Sequence, residues 1–276
     1  MTKTRLIAAF TMAPVAIAAV LLLPTPWIAL LAALLFLAGM WEWFALAEVD
    51  DTLARGALLV LNLLLMVALV WASPGGPGGT LVLFKLAVVI GVIWWLLAMM
   101  WLMHYDFASD HDSHARVFKL AAATLAVVPA WCALALLHSA GHGWLMLALV
   151  LIWSTDTGAY FAGRAFGKRK LAPRISPNKT IAGLVGGMVA GVAVTVAGAG
   201  LLLDTPLRQL PLVALVALVA VLFSVVGDLF ESLLKRHVDA KDSGTLIPGH
   251  GGLLDRLDSV MAALPVFALG KIWLGF

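Results

Sequence analysis

The sequence predicts an all-α integral membrane protein that crosses the bilayer about nine times, with its N-terminus in the cytoplasm. Three observations predict it. First, 63% of the 276 residues are A, V, I, L, M, F, W, Y or C and only 12% are charged, against roughly 25% charged in an ordinary soluble domain. Second, the apolar residues run in stretches near the roughly 20 residues a helix needs to cross about 30 Å of hydrocarbon. Third, the cations are sorted between alternate connectors. Thirty-three charges cannot clothe a soluble surface of this size. The composition therefore excludes a soluble globule, a disordered chain and a basic nucleic-acid-binding domain.

The nine stretches are approximately 6–23, 28–47, 56–72, 80–103, 117–138, 144–162, 181–203, 210–231 and 258–275. The first has a basic start like a signal peptide, but its 18-residue length is long for that role and it reads as a span. Pro24-Thr25-Pro26 ends it. The Pro-Gly-rich run from Ser73 to Gly79 and the polar run from Asp204 to Arg208 make later breaks. Pro14, Pro129 and Pro265 fall inside spans, where neighbouring helices can satisfy the freed carbonyls. Eleven Trp against two Tyr fit a polytopic protein with interfacial aromatics. The single cysteine, Cys132, excludes an internal disulfide and a cysteine-based zinc site.

Orientation follows from the cations. With the N-terminus inside, nine spans place 15 of the 18 Lys and Arg on the cytoplasmic side and leave Lys85, Arg208 and Lys271 for the other. The positive-inside rule selects that arrangement over an eight-span one, which would flip every later loop. No inverted repeat is visible. Residues 1–140 read as a hydrophobic scaffold, and 141–276 as the half that carries chemistry on two polar cytoplasmic loops.

Three polar segments stand out. Asp156 lies in an apolar stretch, where an ionisable side chain is expensive and marks a candidate site. Six cations follow it without an acid between them: Arg164, Lys168, Arg169, Lys170, Arg174 and Lys179, the last inside Ser176-Pro-Asn178-Lys179-Thr180. They suit an anion site completed by backbone N–H groups, or else they enforce topology and touch lipid headgroups. In the second segment Ser224, Asp228, Glu231 and Lys235 are spaced 4, 3 and 4 apart and share a helical face. That face lines a cavity or closes an internal salt bridge. The third segment runs from His237 to Ser259, with Asp255 and Asp258 on one face at the start of the last span. Carboxylates there favour a helix N-terminus, and they are also what Mg²⁺ with a polyphosphate requires. The tract from His104 to His114 looks metal-binding but reads as an exposed loop.

The run SLLKRHVDAKDSGTLIPGHGGLLDRLDS, Ser232 to Ser259, resembles the signature of the phosphatidate cytidylyltransferases (CDP-diglyceride synthases). Ser232, Lys235, Arg236, Lys241, Asp242, Gly244, Pro248, His250, Gly251, Gly252, Asp255, Arg256 and Asp258 match it position by position. DTGAYFAGRAFGKRKLAPRISPNKT, from Asp156, is similar to the family's other block. Where the family commonly has Lys-Thr-x-Glu-Gly, this chain has Ala182 in place of the Glu. The resemblance covers about the C-terminal half.

It implies transfer of CMP from CTP to phosphatidic acid, giving CDP-diacylglycerol and pyrophosphate with Mg²⁺; a second metal or a monovalent cation is left open. By that resemblance Asp228 and Asp255 hold the metal, with Asp258 behind them or on a second metal. Lys235, Arg236, Lys241 and Arg256 neutralise phosphates. Gly251 and Gly252 let backbone approach the nucleotide, and Asp156, Ser176, Asn178, Lys179, Asp242 and His250 complete the substrate site. Expected partners are CTP, phosphatidic acid and membrane lipids, with a homodimer compatible and nucleic acid excluded. The expected place is a bacterial inner membrane with the site facing the cytoplasm. Other readings are a CTP-dependent polyprenol- or phytol-type kinase and a transporter or flippase. The absence of a D-x-x-D-G-x-x-A-R run speaks against a CDP-alcohol phosphatidyltransferase.

Overall fold

The computed structural model describes residues 14–73, 81–246 and 251–276. Helix α1 covers residues 14–22. It is followed by α2 (Thr25–Leu46), α3 (Thr52–Trp71), α4 (Val82–Met103), α5 (Ser113–Ala140) and α6 (His142–Phe166). A hairpin of β1 (Lys170–Ala172) and β2 (Ser176–Thr180) leads into α7 (Ile181–Leu202), α8 (Leu210–His237) and α9 (Leu254–Leu274). Helices α2 to α9 are each long and apolar enough to cross a membrane. The expected first span, 6–23, lies partly outside the described residues, as does the 73–79 break.

The helices begin where the sequence offers caps. Asp51 accepts the Leu53 N–H at 3.0 Å to start α3, and Asp112 accepts that of Ala115 at 2.7 Å to start α5. The Ala115 N–H also holds the Asp112 carboxyl below its ordinary range. Thr180 Oγ1 accepts the Gly183 N–H at 3.0 Å to start α7. Several helices outrun their expected spans. In particular α8 continues to His237, so Lys235 and Arg236 are helical and held in a fixed direction.

Connectors alternate between two ends of the bundle. At one end His111 meets Glu48 at 2.6 Å, Arg174 meets Asp106 at 3.1 Å, and the Arg236 Nε–H donates to the Ile175 carbonyl at 3.2 Å. These contacts gather the α2–α3, α4–α5, α6–α7 and α8–α9 connectors. At the other end His138 and His142 reach the carbonyls of Val20 and Leu21, and Trp144 packs on Phe276 at 5.5 Å. The residues of the His104–His114 tract are thus spent on loop packing and capping.

The core lies where α2, α4, α5, α8 and α9 meet. Phe230 of α8 is fully buried and ringed by Trp43, Trp94, Trp95 and Trp101 at 5.2–6.0 Å. These four tryptophans lie inside the bundle, whereas Trp27, Trp71 and Trp273 stand exposed near helix ends. Trp43 and Trp95 go inside because their indole N–H groups find the carbonyls of Lys119 and Met261, each at 3.0 Å. The cage sets the rotation of α8, and with it the direction of Glu231 and Lys235. Helices α6 and α7 pack along each other through small residues: a Cβ on Gly186 would fall 2.2 Å from the Ala162 Cβ. The antiparallel hairpin pairs Lys170 with Thr180 and Ala172 with Ser176 around a turn at Pro173. It is an addition to the helical expectation, because a run rich in Lys, Arg and Pro carries no strand alternation.

Candidate active site

The polar side chains form two groups at the connector-rich end. The first surrounds a cavity of about 550 Å³ between α6, the hairpin, α7, α8 and α9. Asp156 enters it from α6, Asn178 and Lys179 from β2, Ser224 and Asp228 from α8, and Ser259 from α9. Lys179 Nζ lies 2.5 Å from Asp228 Oδ2, with about a quarter to a third of each side chain exposed. The Arg256 guanidinium and the Asp228 carboxylate both act electrostatically on Asp156. The rest of the wall includes Ala159, Tyr160, Leu184 and Val225, so charge and apolar surface share one opening.

The second group is knotted more tightly. Lys235 Nζ lies 2.5 Å from Glu231 Oε2, one helical turn back, and 2.6 Å from Asp255 Oδ1 in the first turn of α9. The other Asp255 oxygen accepts the Gly252 N–H at 2.8 Å and the Ser243 N–H at 3.1 Å, with the Ser243 hydroxyl also 3.1 Å away. Glu231 is 2% exposed. Asp258, buried between the groups, accepts the Ser259 N–H at 2.6 Å and feels the charges of Asp228, Lys179 and Asp156. Glu231 in turn feels Asp258. The two groups are therefore one electrostatic unit with Asp258 at its centre.

Placed against the sequence expectations, Asp156, Asn178, Lys179 and Asp228 converge on one cavity, and Lys235, Gly252 and Asp255 on the adjoining knot. Asp228 and Asp255 belong to separate ion pairs. Arg236 is turned to the hairpin carbonyl of Ile175. Ser176 pairs in the hairpin, while Lys241 and Asp242 stand exposed on the α8–α9 connector. Gly251 has φ +86°, and a Cβ on it would lie 3.1 Å from Asp255 Oδ2 and 3.5 Å from the Asp242 carboxylate. His250 lies outside the described residues.

Sequence reasoning missed Glu42. It stands in α2, 3% exposed, and its Oε2 accepts the Leu254 N–H at 2.8 Å and lies 3.1 Å from the Ser243 hydroxyl. The signal was available, since an acid inside an apolar span invites a functional reading. Its partners, over 200 residues downstream, were not.

The donor set suits a hard cation. Carboxylates and hydroxyl oxygens face the cavity, and magnesium takes one or two carboxylates together with waters and substrate phosphates. No three His, Cys, Asp or Glu side chains converge on one point among the described residues.

The model of the cytidylyltransferase family matches residues 3–272. A phosphatidate cytidylyltransferase of Pseudomonas aeruginosa is 40% identical over 270 residues, 97% of this chain and 96% of that one. The enzyme of the same name from Haemophilus influenzae is 32% identical over 283 residues, 97% and 98% of the two chains. A Bacillus subtilis phosphatidate cytidylyltransferase is 47% identical over 129 residues, less than half of either chain. With the family model spanning nearly its whole length and full-length relatives 32% and 40% identical to it, this chain belongs to the cytidylyltransferase family.

Proposed function

We propose that the protein transfers CMP from CTP to phosphatidic acid, forming CDP-diacylglycerol and pyrophosphate for phospholipid synthesis. One observation carries the reading: Asp156, Lys179 and Asp228 meet in a cavity whose remaining wall is largely apolar. A lipid phosphate needs both kinds of surface at once, a charged end for the headgroup and an apolar flank for the chains.

The lipid phosphate is itself the nucleophile. An oxygen of phosphatidic acid bonds to the α-phosphorus of CTP as the bond to the β-phosphate oxygen breaks, and pyrophosphate leaves with that electron pair. No serine or cysteine nucleophile is needed. The barrier lies in bringing two anions together, so catalysis rests on positioning and charge neutralisation. Lys179 lines the cavity, and Arg256, which acts electrostatically on Asp156, would join it to meet one phosphate; Lys235, fixed between Glu231 and Asp255, would add positive charge from the α8–α9 side. Mg²⁺, held by Asp228 with Asp255 as the second carboxylate, would neutralise the polyphosphate and polarise the α-phosphate. Asp258 supports these charges from within the bundle.

The cation distribution supports placing this end of the bundle in the cytoplasm of a bacterial inner membrane, where CTP is available. The test uses the purified protein in detergent with labelled CTP and phosphatidic acid. A CMP-bearing lipid and pyrophosphate should appear with Mg²⁺ and vanish with a chelator. Release of CDP and a phosphorylated lipid would instead identify a kinase and sink the reading.

A further inference from the structure

We infer that Glu42, on a helix of the scaffold half, is a positioning residue for the catalytic turn at the start of α9. The inference rests on the nucleotidyltransfer reading of the site and adds a residue outside both polar loops. Helix α9 has no capping side chain of its own; its N-cap residue is Leu253. Glu42 supplies the cap from α2. Its Oε2 accepts the Leu254 N–H, one of the donors left orphaned at a helix start, and the positive end of α9 favours the carboxylate there.

The same oxygen holds Ser243, and through Ser243 it reaches Asp255. Ser243 Oγ lies 3.1 Å from Glu42 Oε2, 3.1 Å from Asp255 Oδ2 and 3.3 Å from the Asp255 N–H. A hydroxyl has one proton to give. Shared between two carboxylates, it ties the α8–α9 connector to α2 on one side and to the Asp255–Lys235 pair on the other. Removing Glu42 frees both Leu254 and Ser243, and Asp255 loses its fixed setting towards Lys235.

Two glycines are shaped around this carboxylate. A Cβ on Gly244 would fall 2.3 Å from Glu42 Oε1, and one on Gly252 would fall 2.4 Å from Glu42 Oε2 and 2.0 Å from Ser243 Oγ. Both positions leave space for Glu42 and Ser243, which gives the glycine at 252 a packing reason beside any approach to a nucleotide. The contact is therefore two-sided. Glu42 orders the connector, and the connector has room for nothing larger against Glu42.

The experiment measures kcat per folded molecule, with folding checked by size-exclusion profile and thermal melt in detergent. Glu42→Ala should lower kcat about 10²-fold, the scale of a small displacement of catalytic groups. Glu42→Gln should keep most of its turnover, because one amide oxygen can still accept from both Leu254 and Ser243. Gly244→Ala should be damaging in the native background and nearly silent when added to Glu42→Ala, which lacks the atoms it would strike. Full kcat in Glu42→Ala overturns the inference, as do additive losses at 42 and 244. A Gln variant as inactive as the Ala variant also overturns it, since charge rather than positioning would then be required. If Glu42→Ala does not fold, the nearly isosteric Gln variant decides alone. A native protein without CMP transfer would sink the functional reading instead, so the two failures are distinguishable.

Discussion

Lys235 holds its ammonium between Glu231 and Asp255 where the three side chains are only 11%, 2% and 14% exposed. The two carboxylates do not depend on it equally. Asp255 keeps the N–H groups of Ser243 and Gly252 if Lys235 is lost, whereas Glu231 Oε1 has no hydrogen-bond partner among the described residues. Lys235→Met should therefore destabilise the protein by about 3–5 kcal/mol, the cost of leaving one member of a buried pair uncompensated. Adding Glu231→Gln should recover part of that loss without restoring activity. Thermal melts and CMP-transfer assays on the single and double variants check both statements. Asp228 differs, because it is a third exposed and opens on the cavity. Asp228→Asn should leave the melt nearly unchanged and remove most of the Mg²⁺-dependent turnover; near-normal activity would exclude Asp228 from the metal site.

At the scale of elements, the site depends on how closely α6 approaches α7. Asp156 rides on α6, Lys179 is anchored one residue before the α7 cap, and the cavity between them closes on Asp228 of α8. Gly158 and Gly186 allow the approach: a Cβ on Gly158 would lie 2.7 Å from the Gly186 carbonyl oxygen. Gly186→Ala should force the pair apart, cost about 1–3 kcal/mol as overpacking does, and lower activity as Asp156 moves from Lys179. Lowered stability with unchanged turnover per folded molecule would show that the seam does not set the site. Much of this was legible in the sequence. Asp156, Asp228 and Lys235 announced themselves as charges in apolar surroundings, and the 4, 3, 4 spacing put four site residues on one face of α8. What stayed hidden depends on distant contacts. Glu42 acquires its meaning from Ser243 and Leu254, the tryptophan cage from carbonyls that only the packed bundle presents, and the hairpin from a register that its charged residues do not encode.

At the scale of the molecule, two independent patterns describe one orientation. The observed contacts gather alternate connectors at one end, and those connectors with their flanking turns hold 13 of the 15 cations on the charge-rich side of the 15-to-3 split, the other two being Lys3 and Arg5, outside the described residues. Segments 156–179 and 228–258 hold 17 of the 33 charged residues in 55 positions, so the charge that would clothe a soluble protein is here concentrated at one membrane face. If that face is cytoplasmic, CTP reaches the site directly and phosphatidic acid arrives sideways from the inner leaflet. The single native cysteine makes the test clean: Cys132 is fully buried and out of reach of a labelling reagent. Cysteines introduced at exposed Lys170, beside the candidate cavity, and at exposed Arg208, at the opposite end, report the two faces. With a membrane-impermeant maleimide on intact cells, Arg208→Cys should label and Lys170→Cys should stay dark until the membrane is opened. The reverse pattern would invert the molecule and separate the proposed site from its nucleotide.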